Sequence, residues 1–279
     1  MKKLLVGILI FLTLLFSVLL YSRFLGVKGL KTNEIIIKDD IPSSYDGLKI
    51  VHFSDLHYKK VITEKEIKNL IKEIKKIKPD IVLFTGDLAD DDYKLTNQDI
   101  NFLIQELSKI ETKYGSYAVL GDQDNPQRET IHNIYIQSNF TLLENDSTII
   151  QNESNDKILL VGVSSFLNKS ADILKAMDGN YENISYQIIL IHEPDYTDTI
   201  LKNYSDVDLI LSSHSINGSI NIPIVKKAFL PDGAKKYYQP YYKINDTNLY
   251  ISNGIGVDRV NFRLFNTPSI NFYRLKRNN

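Results

Sequence analysis

The chain has 279 residues, 43% hydrophobic and 24% charged, with a formal net charge of -1. That length can bury the core of one large globular domain, and the near-neutral balance gives no broad attraction to nucleic acid. Cysteine is absent, which excludes disulfides, thiolate metal sites and a cysteine nucleophile. Any metal centre must therefore draw on carboxylates, amides and the five histidines, His52, His57, His132, His192 and His214.

Residues 4–21 form an uncharged run in which only Thr13 and Ser17 are polar, preceded by Lys2 and Lys3. The run is close to the length a helix needs to cross a bilayer, and no small-x-small cleavage site follows it. An uncleaved single-pass anchor is expected over 1–25, a linker over 26–32 and one domain over 33–279. Lys2, Lys3 and the terminal amine nearly balance Arg23, Lys28 and Lys31 across the span; the compact N-terminal cluster leans the domain out of the cytoplasm.

A first strand is expected over 33–38 and a buried one over 50–53, ending in a turn that carries Asp55 and His57. Thr63 and Glu66 form a capping box for a helix over 64–77, whose Ile67, Leu70, Ile71, Ile74 and Ile77 share one face. Pro79 stops it before a strand over 81–84, which runs into Gly86 and Asp87. A second helix over 97–110 leads to a strand over 117–120 and then Gly121-Asp-Gln-Asp-Asn125, with a helix near 129–137. Short strands follow over 141–143, 148–151, 158–163, 187–191, 207–211, 224–230, 248–251 and 270–275. The strand over 187–191 ends in His192, and the one over 207–211 in Ser212-Ser-His214.

Metal-capable groups thus stand after five buried strands, where the loops of an α/β sheet converge on ligands. The ordered elements Asp55-Leu-His57, Gly86-Asp87, Gly121-Asp-Gln-Asp124, His192 and Ser213-His-Ser-Ile216 resemble the calcineurin-like metallophosphoesterase family. The resemblance covers nearly all of 47–279. Lys78-Pro-Asp80 before Thr85-Gly-Asp87, and Arg263-Leu-Phe-Asn-Thr-Pro268 near the end, also look like it. Together with the anchor they point to its membrane-attached bacterial branch, which includes enzymes similar to UDP-diacylglucosamine pyrophosphatases.

The resemblance implies a four-layer α-β-β-α sandwich of two mixed sheets. It also implies two divalent metals that share a carboxylate and act on a phosphoryl group. Asp55, His57 and Asp87 would hold the first metal; Asp87, bridging, with Asp122, His192 and His214 would hold the second. Three positions depart from the family pattern. Asp122 replaces an Asn ligand and still offers an oxygen. Gln123, at the catalytic position beside Asp124, replaces the proton-donating His, and an amide cannot transfer a proton at neutral pH. Ile216 replaces a His ligand of the first metal and cannot ligate.

Counting ligands gives one firmly bound cation (manganese, zinc or iron) and a second that is weak or absent. Two functions follow as expectations: a membrane-anchored hydrolase of phosphodiesters or pyrophosphates, or an inactive binding module that retains one metal. The partners would be the membrane and a phosphorylated small molecule or lipid headgroup, with no nucleic acid. Bland readings are expected elsewhere. His52 belongs to its strand and His132 to a helix surface. Asp90, Asp91 and Asp92 form a solvated loop, with Asp90 near enough to support a ligand. Tyr237, Tyr238, Tyr241 and Tyr242 are expected to pack rather than to floor a pocket.

Overall fold

Alternation along the strands decides how this chain layers. In β2 (Lys49–Phe53), Val51 and Phe53 point to one side and Ile50 to the other, and in β3 (Ile81–Phe84) Val82 and Phe84 oppose Ile81 and Leu83. Both faces are apolar, so each must be covered. One side packs against the amphipathic helices α2 (Glu64–Ile77), α3 (Asn97–Leu107) and α4 (Arg128–Gln137), through Ile67, Leu70, Leu103, Ile131 and Ile134. The other meets a second sheet.

The structure, a computed structural model, describes residues 2–179, 181–216, 220–222, 227, 230–258 and 261–278. Before the domain comes α1 (Lys2–Phe24), long and apolar enough to cross a membrane, with Ser22 its one buried residue. The first sheet also contains β1 (Lys31–Asp39), β4 (Ser116–Ala118), β5 (Phe140–Leu142) and β12 (Ser269–Arg277), in the order β1-β12-β2-β3-β4-β5. The second contains β6 (Asp146–Gln151), β7 (Lys157–Gly162), β8 (Tyr186–Leu190), β9 (Leu209–Ser212), β10 (Tyr241–Ile244) and β11 (Thr247–Ile251), in the order β10-β11-β9-β8-β7-β6. Both sheets are mixed. β2 to β5 run parallel, as do β7, β8, β9 and β11, while β12 opposes β2 and β6 and β10 oppose their neighbours.

Between the sheets lie Ile50, Leu83, Tyr273 and Leu275 from one and Leu160, Ile188, Leu190 and Leu211 from the other. The outer face of the second sheet, through Leu159, Ile189, Ile210 and Leu249, is covered by α5 (Ile173–Ala176) and α6 (Thr197–Asn203) with Ile173 and Ile200. The result is the four-layer α-β-β-α sandwich.

The elements form where local chemistry directs them. Thr63 caps α2 with the expected reciprocal bonds, and its chain leaves through Lys78 in the left-handed region. His52 is buried between the sheets, where Nε2 meets Thr85 Oγ1 at 2.8 Å and burial drives its pKa down to about 3. It is a neutral structural histidine. His132 is exposed on α4. Tyr237 is buried against the outer face of the second sheet, while Tyr241 lies half-exposed on the edge strand β10. The strand expected over 224–230 lies for the most part outside the described residues.

Register on the edge strand β6 separates two neighbours of one type: Ile150 is 4% exposed in the inter-sheet core and Ile149 is 39% exposed. Ile150→Ala is expected to cost about 2–5 kcal/mol, and Ile149→Ala to stay within about 0.5 kcal/mol of the parent. Denaturant unfolding of the two variants measures the difference.

Candidate metal centre

The parallel strands of both sheets end at one rim, and the turns after them carry the polar groups. The ligand atoms of Asp87, Asp122, His192 and His214 all lie within 4.8 Å of one another, and so do those of Asp55, His57 and Asp87. All six metal candidates are therefore brought together, with Asp87 common to both groups.

The turns hold these side chains at a conformational cost. Asp55 (φ 49°), His57 (φ 43°), Asp87 (φ 60°) and His214 (φ 63°) sit in the left-handed region, which costs roughly 1–2 kcal/mol for each residue with a side chain. Backbone bonds between neighbouring turns fix them there. Asp55 N–H donates to Gly86 O at 2.9 Å, and Leu56 N–H donates to Asp87 O at 2.8 Å. Ile216, at φ 46°, is in the same region although it is β-branched, buried and unable to ligate.

In the fuller cluster, Asp87 Oδ2 lies 3.2 Å from His192 Nε2, and Asp122 Oδ1 lies 3.2 Å from both His192 Nε2 and His214 Nδ1. Asp122 Oδ1 nevertheless has no aligned hydrogen bond. His192 Nε2 and His214 Nδ1 also meet at 3.2 Å, so these two nitrogens and Asp122 Oδ1 converge on one small region. The far side of each ring supports this. His192 Nδ1–H donates to the Thr85 carbonyl (2.6 Å) and His214 Nε2–H to the Asp232 carbonyl (2.8 Å). A carbonyl only accepts, so each ring donates outward and presents its other nitrogen, His192 Nε2 and His214 Nδ1, to the cluster, where a neutral ring offers its lone pair.

The electrostatics call for a cation. Burial opposes charge on His192 and His214, but the carboxylates outweigh it: His192, beside Asp87 and Asp122, is held well above the usual imidazole range, and His214 rises to about 9, chiefly through Asp122. Burial pushes Asp55 up, and Asp87 well up. Burial also drives the His57 ring down to about 4, and neither of its nitrogens has a hydrogen-bond partner. Asp55 Oδ1 is likewise a buried acceptor with none. Unpartnered carboxylate oxygens and imidazole nitrogens, buried and converging, fit a divalent cation in both chemistry and placement.

Supporting groups surround the ligands. Asp90 is buried, lies 3.8 Å from His57 Nδ1 and pairs with Lys60 at 2.7 Å, while Asp91 and Asp92 are exposed. Asp124 accepts three backbone N–H groups, from Gly121 (2.9 Å), Asp87 (2.9 Å) and Leu88 (2.8 Å), so its carboxylate ties two strand-end turns together. Gln123 N–H donates to Asp87 Oδ1 (3.0 Å), and its side-chain amide donates to Asp258 (2.5 Å).

Asp258 is the site residue that the sequence motifs missed, and Arg263, which begins the Arg263–Pro268 motif, was given no task by it. Asp258 lines an open cavity of about 380 Å³ with Lys60, Asp91, Asp92, Asp122, Gln123 and His214. Its loop is pressed on the Asp55 turn: Gly256 N–H donates to Asp55 O, and a side chain at Gly256 would fall 2.2 Å from Leu56 O. Arg263 is fully buried and donates to the carbonyls of Asn253 and Gly256.

Two mixed sheets that deliver Asp and His from five strand ends to one rim define a metallophosphoesterase. The chain belongs to the calcineurin-like phosphoesterase family, whose model matches residues 48–217. It is 29% identical over 266 residues to the metallophosphoesterase YkuE of Bacillus subtilis, covering 93% of this chain and 90% of that one. It is 25% identical to the phosphodiesterase YaeI of Escherichia coli, covering 75% of each. A transmembrane protein with a metallophosphoesterase domain from Danio rerio is 23% identical, over 86% of this chain and 55% of its own length.

Asp124→Asn exchanges an acceptor-only group for one whose NH₂ cannot accept. At least one of the three N–H groups then loses its partner, a cost of about 1–3 kcal/mol. The expected outcome is a lower unfolding midpoint together with weaker metal retention on dialysis.

Proposed function

We propose that this protein is a membrane-anchored, metal-dependent phosphoester hydrolase with a reduced metal centre, cleaving phosphodiesters or pyrophosphates. The carrying observation is the gathering of Asp87, Asp122, His192 and His214 within 4.8 Å with two imidazole nitrogens turned inward. In this reading those four hold one cation firmly. Asp55, His57 and Asp87 hold a second weakly, since Ile216 supplies nothing. Bound there, divalent cations lower the pKa of water and neutralise charge on a phosphoryl group.

The remaining chemistry belongs to the chain. Asp87 accepts the Gln123 N–H, and Asp90 places a carboxylate 3.8 Å from the far nitrogen of the His57 ring. Gln123 can donate an amide hydrogen bond but not a proton, and one amide hydrogen is already committed to Asp258. Losing a general acid costs roughly a hundred- to ten-thousand-fold in rate. The substrates that suit such a site have leaving groups that depart as anions. A phosphorylated small molecule or a lipid headgroup meets this description, and the apolar α1 favours a substrate at the membrane; the compact Lys2–Lys3 cluster leans the domain to its outer side. The Asp258 contact to Gln123 also supports a second reading, a non-catalytic module that keeps one metal.

Manganese titration of the full chain against a bis-nitrophenyl phosphodiester separates the two readings. Turnover that rises with manganese and is abolished in Asp87→Asn is expected of a hydrolase; no turnover above that control is expected of a binding module. Gln123→His combined with Ile216→His is expected to raise the hydrolase rate above that of the parent. Metal analysis after dialysis is expected to find one tightly held ion per chain, and two would contradict the reduced centre.

A further inference from the structure

The most exposed large apolar side chain among the described residues is not on α1. It is Phe265, at 75% exposure, in a segment whose backbone is firmly held. On either side of it Leu264 and Asn266 are buried, the Asn266 amide donates to Ile216 O, and Phe265 itself takes the left-handed φ of 55°. A phenylalanine side chain held outward on this loop leaves most of its ring in solvent.

Its surroundings match one kind of contact. Residues 22–31 run beside 263–268, tied by Arg263 N–H to Ser22 O (3.0 Å) at one end and by Lys31 N–H to Pro268 O (2.9 Å) at the other. The fit between them is tight, for a side chain at Gly26 would fall 2.0 Å from Arg263 O. Phe24 and Leu25, 56% and 62% exposed, continue the apolar surface from the end of α1, and Arg23, Lys28 and Lys31 stand beside them. Apolar side chains flanked by cations, continuous with a helix able to span a bilayer, match the headgroup–acyl boundary of a membrane containing anionic lipid.

We propose that Phe265, with Phe24 and Leu25, is a second membrane contact that lays the catalytic domain against the lipid surface. The same loop reaches the metal centre. The Arg263 guanidinium holds the Gly256 carbonyl, and Gly256 N–H holds the Asp55 carbonyl. The docked surface therefore stands two hydrogen-bonded links from a proposed ligand, which places the site where phosphate esters of lipid headgroups lie. The inference rests on the reading of α1 as an anchor.

The chain contains no tryptophan and no cysteine, so single reporters are clean. The full chain carrying Phe265→Trp is reconstituted in phosphatidylcholine–phosphatidylglycerol vesicles with brominated acyl chains. Its emission is expected to fall by about half, as for a ring seated about 5–10 Å into the boundary. Ile136→Trp, exposed on α4, is expected to keep its emission, and Leu12→Trp reports whether α1 enters the bilayer. Phe265→Cys labelled with nitrobenzoxadiazole reads the same position if the tryptophan variant does not fold, and is expected to shift to the blue on vesicles. A reporter at 265 that behaves like the one at 136 overturns the proposal, whatever Leu12→Trp shows. Quenching at 265 without quenching at 12 removes the anchor, and with it the proposal of a second contact beside a spanning helix.

Discussion

Carboxylates taken out of water need a partner, and this structure places three of them, Asp55, Asp87 and Asp124, almost wholly out of solvent at one rim. Leaving such charges uncompensated costs several kcal/mol each. Asp124 is satisfied by three backbone N–H groups, but Asp55 and Asp87 have only part of what they need. The same rim collects three buried imidazoles with nitrogens turned inward or unpartnered. The sandwich exists to hold this frustrated set still. Its parallel strands stop together, its turns accept left-handed backbone, and its loops lock each turn to the next.

Against that frame, the departures from the family pattern are changes of side chain with the main chain kept. Gln123 stands where the pattern has a His, and its N–H donates to Asp87 Oδ1. Ile216 stands where the pattern has a second His, in the left-handed φ range that the turns of Asp55, His57, Asp87 and His214 also use. Asp122 stands where the pattern has an Asn and lies within reach of both imidazoles of its group. On the proposed reading, the main chain that gathers a cation is kept while part of the side-chain chemistry is not.

Much of this could be read from residue order. The helix at 64–77 announces itself by a capping box and an apolar face, and the strands at 50–53 and 81–84 by apolar runs that stop at a turn. The six candidate ligands follow because each stands directly after such a strand. Asp258 stayed hidden because it stands well beyond the end of β11 rather than directly after it, and Arg263, although it opens a recognisable motif, gave no sign of its task. Their loop reaches the site by crossing over the Asp55 turn, and a contact between residues two hundred positions apart leaves no local pattern. The edge strand β10 was equally quiet: its half-exposed tyrosines satisfy a strand and a loop alike. Asp124 could be placed in the right turn but not given its task, since only coordinates reveal which N–H groups a carboxylate accepts.

The position of β12 bears on how the molecule is assembled. It pairs over nine residues with β1 on one side and joins β2 on the other, although it follows every other strand in the chain. β1 therefore has no seat in its sheet until the ribosome has delivered residues 269–277. Translation proceeds at about 5–20 residues per second, so β1 waits for a time on the order of ten seconds or more. The last strand made is the keystone of the first sheet, and a nascent chain stalled before it would leave β1 unzipped.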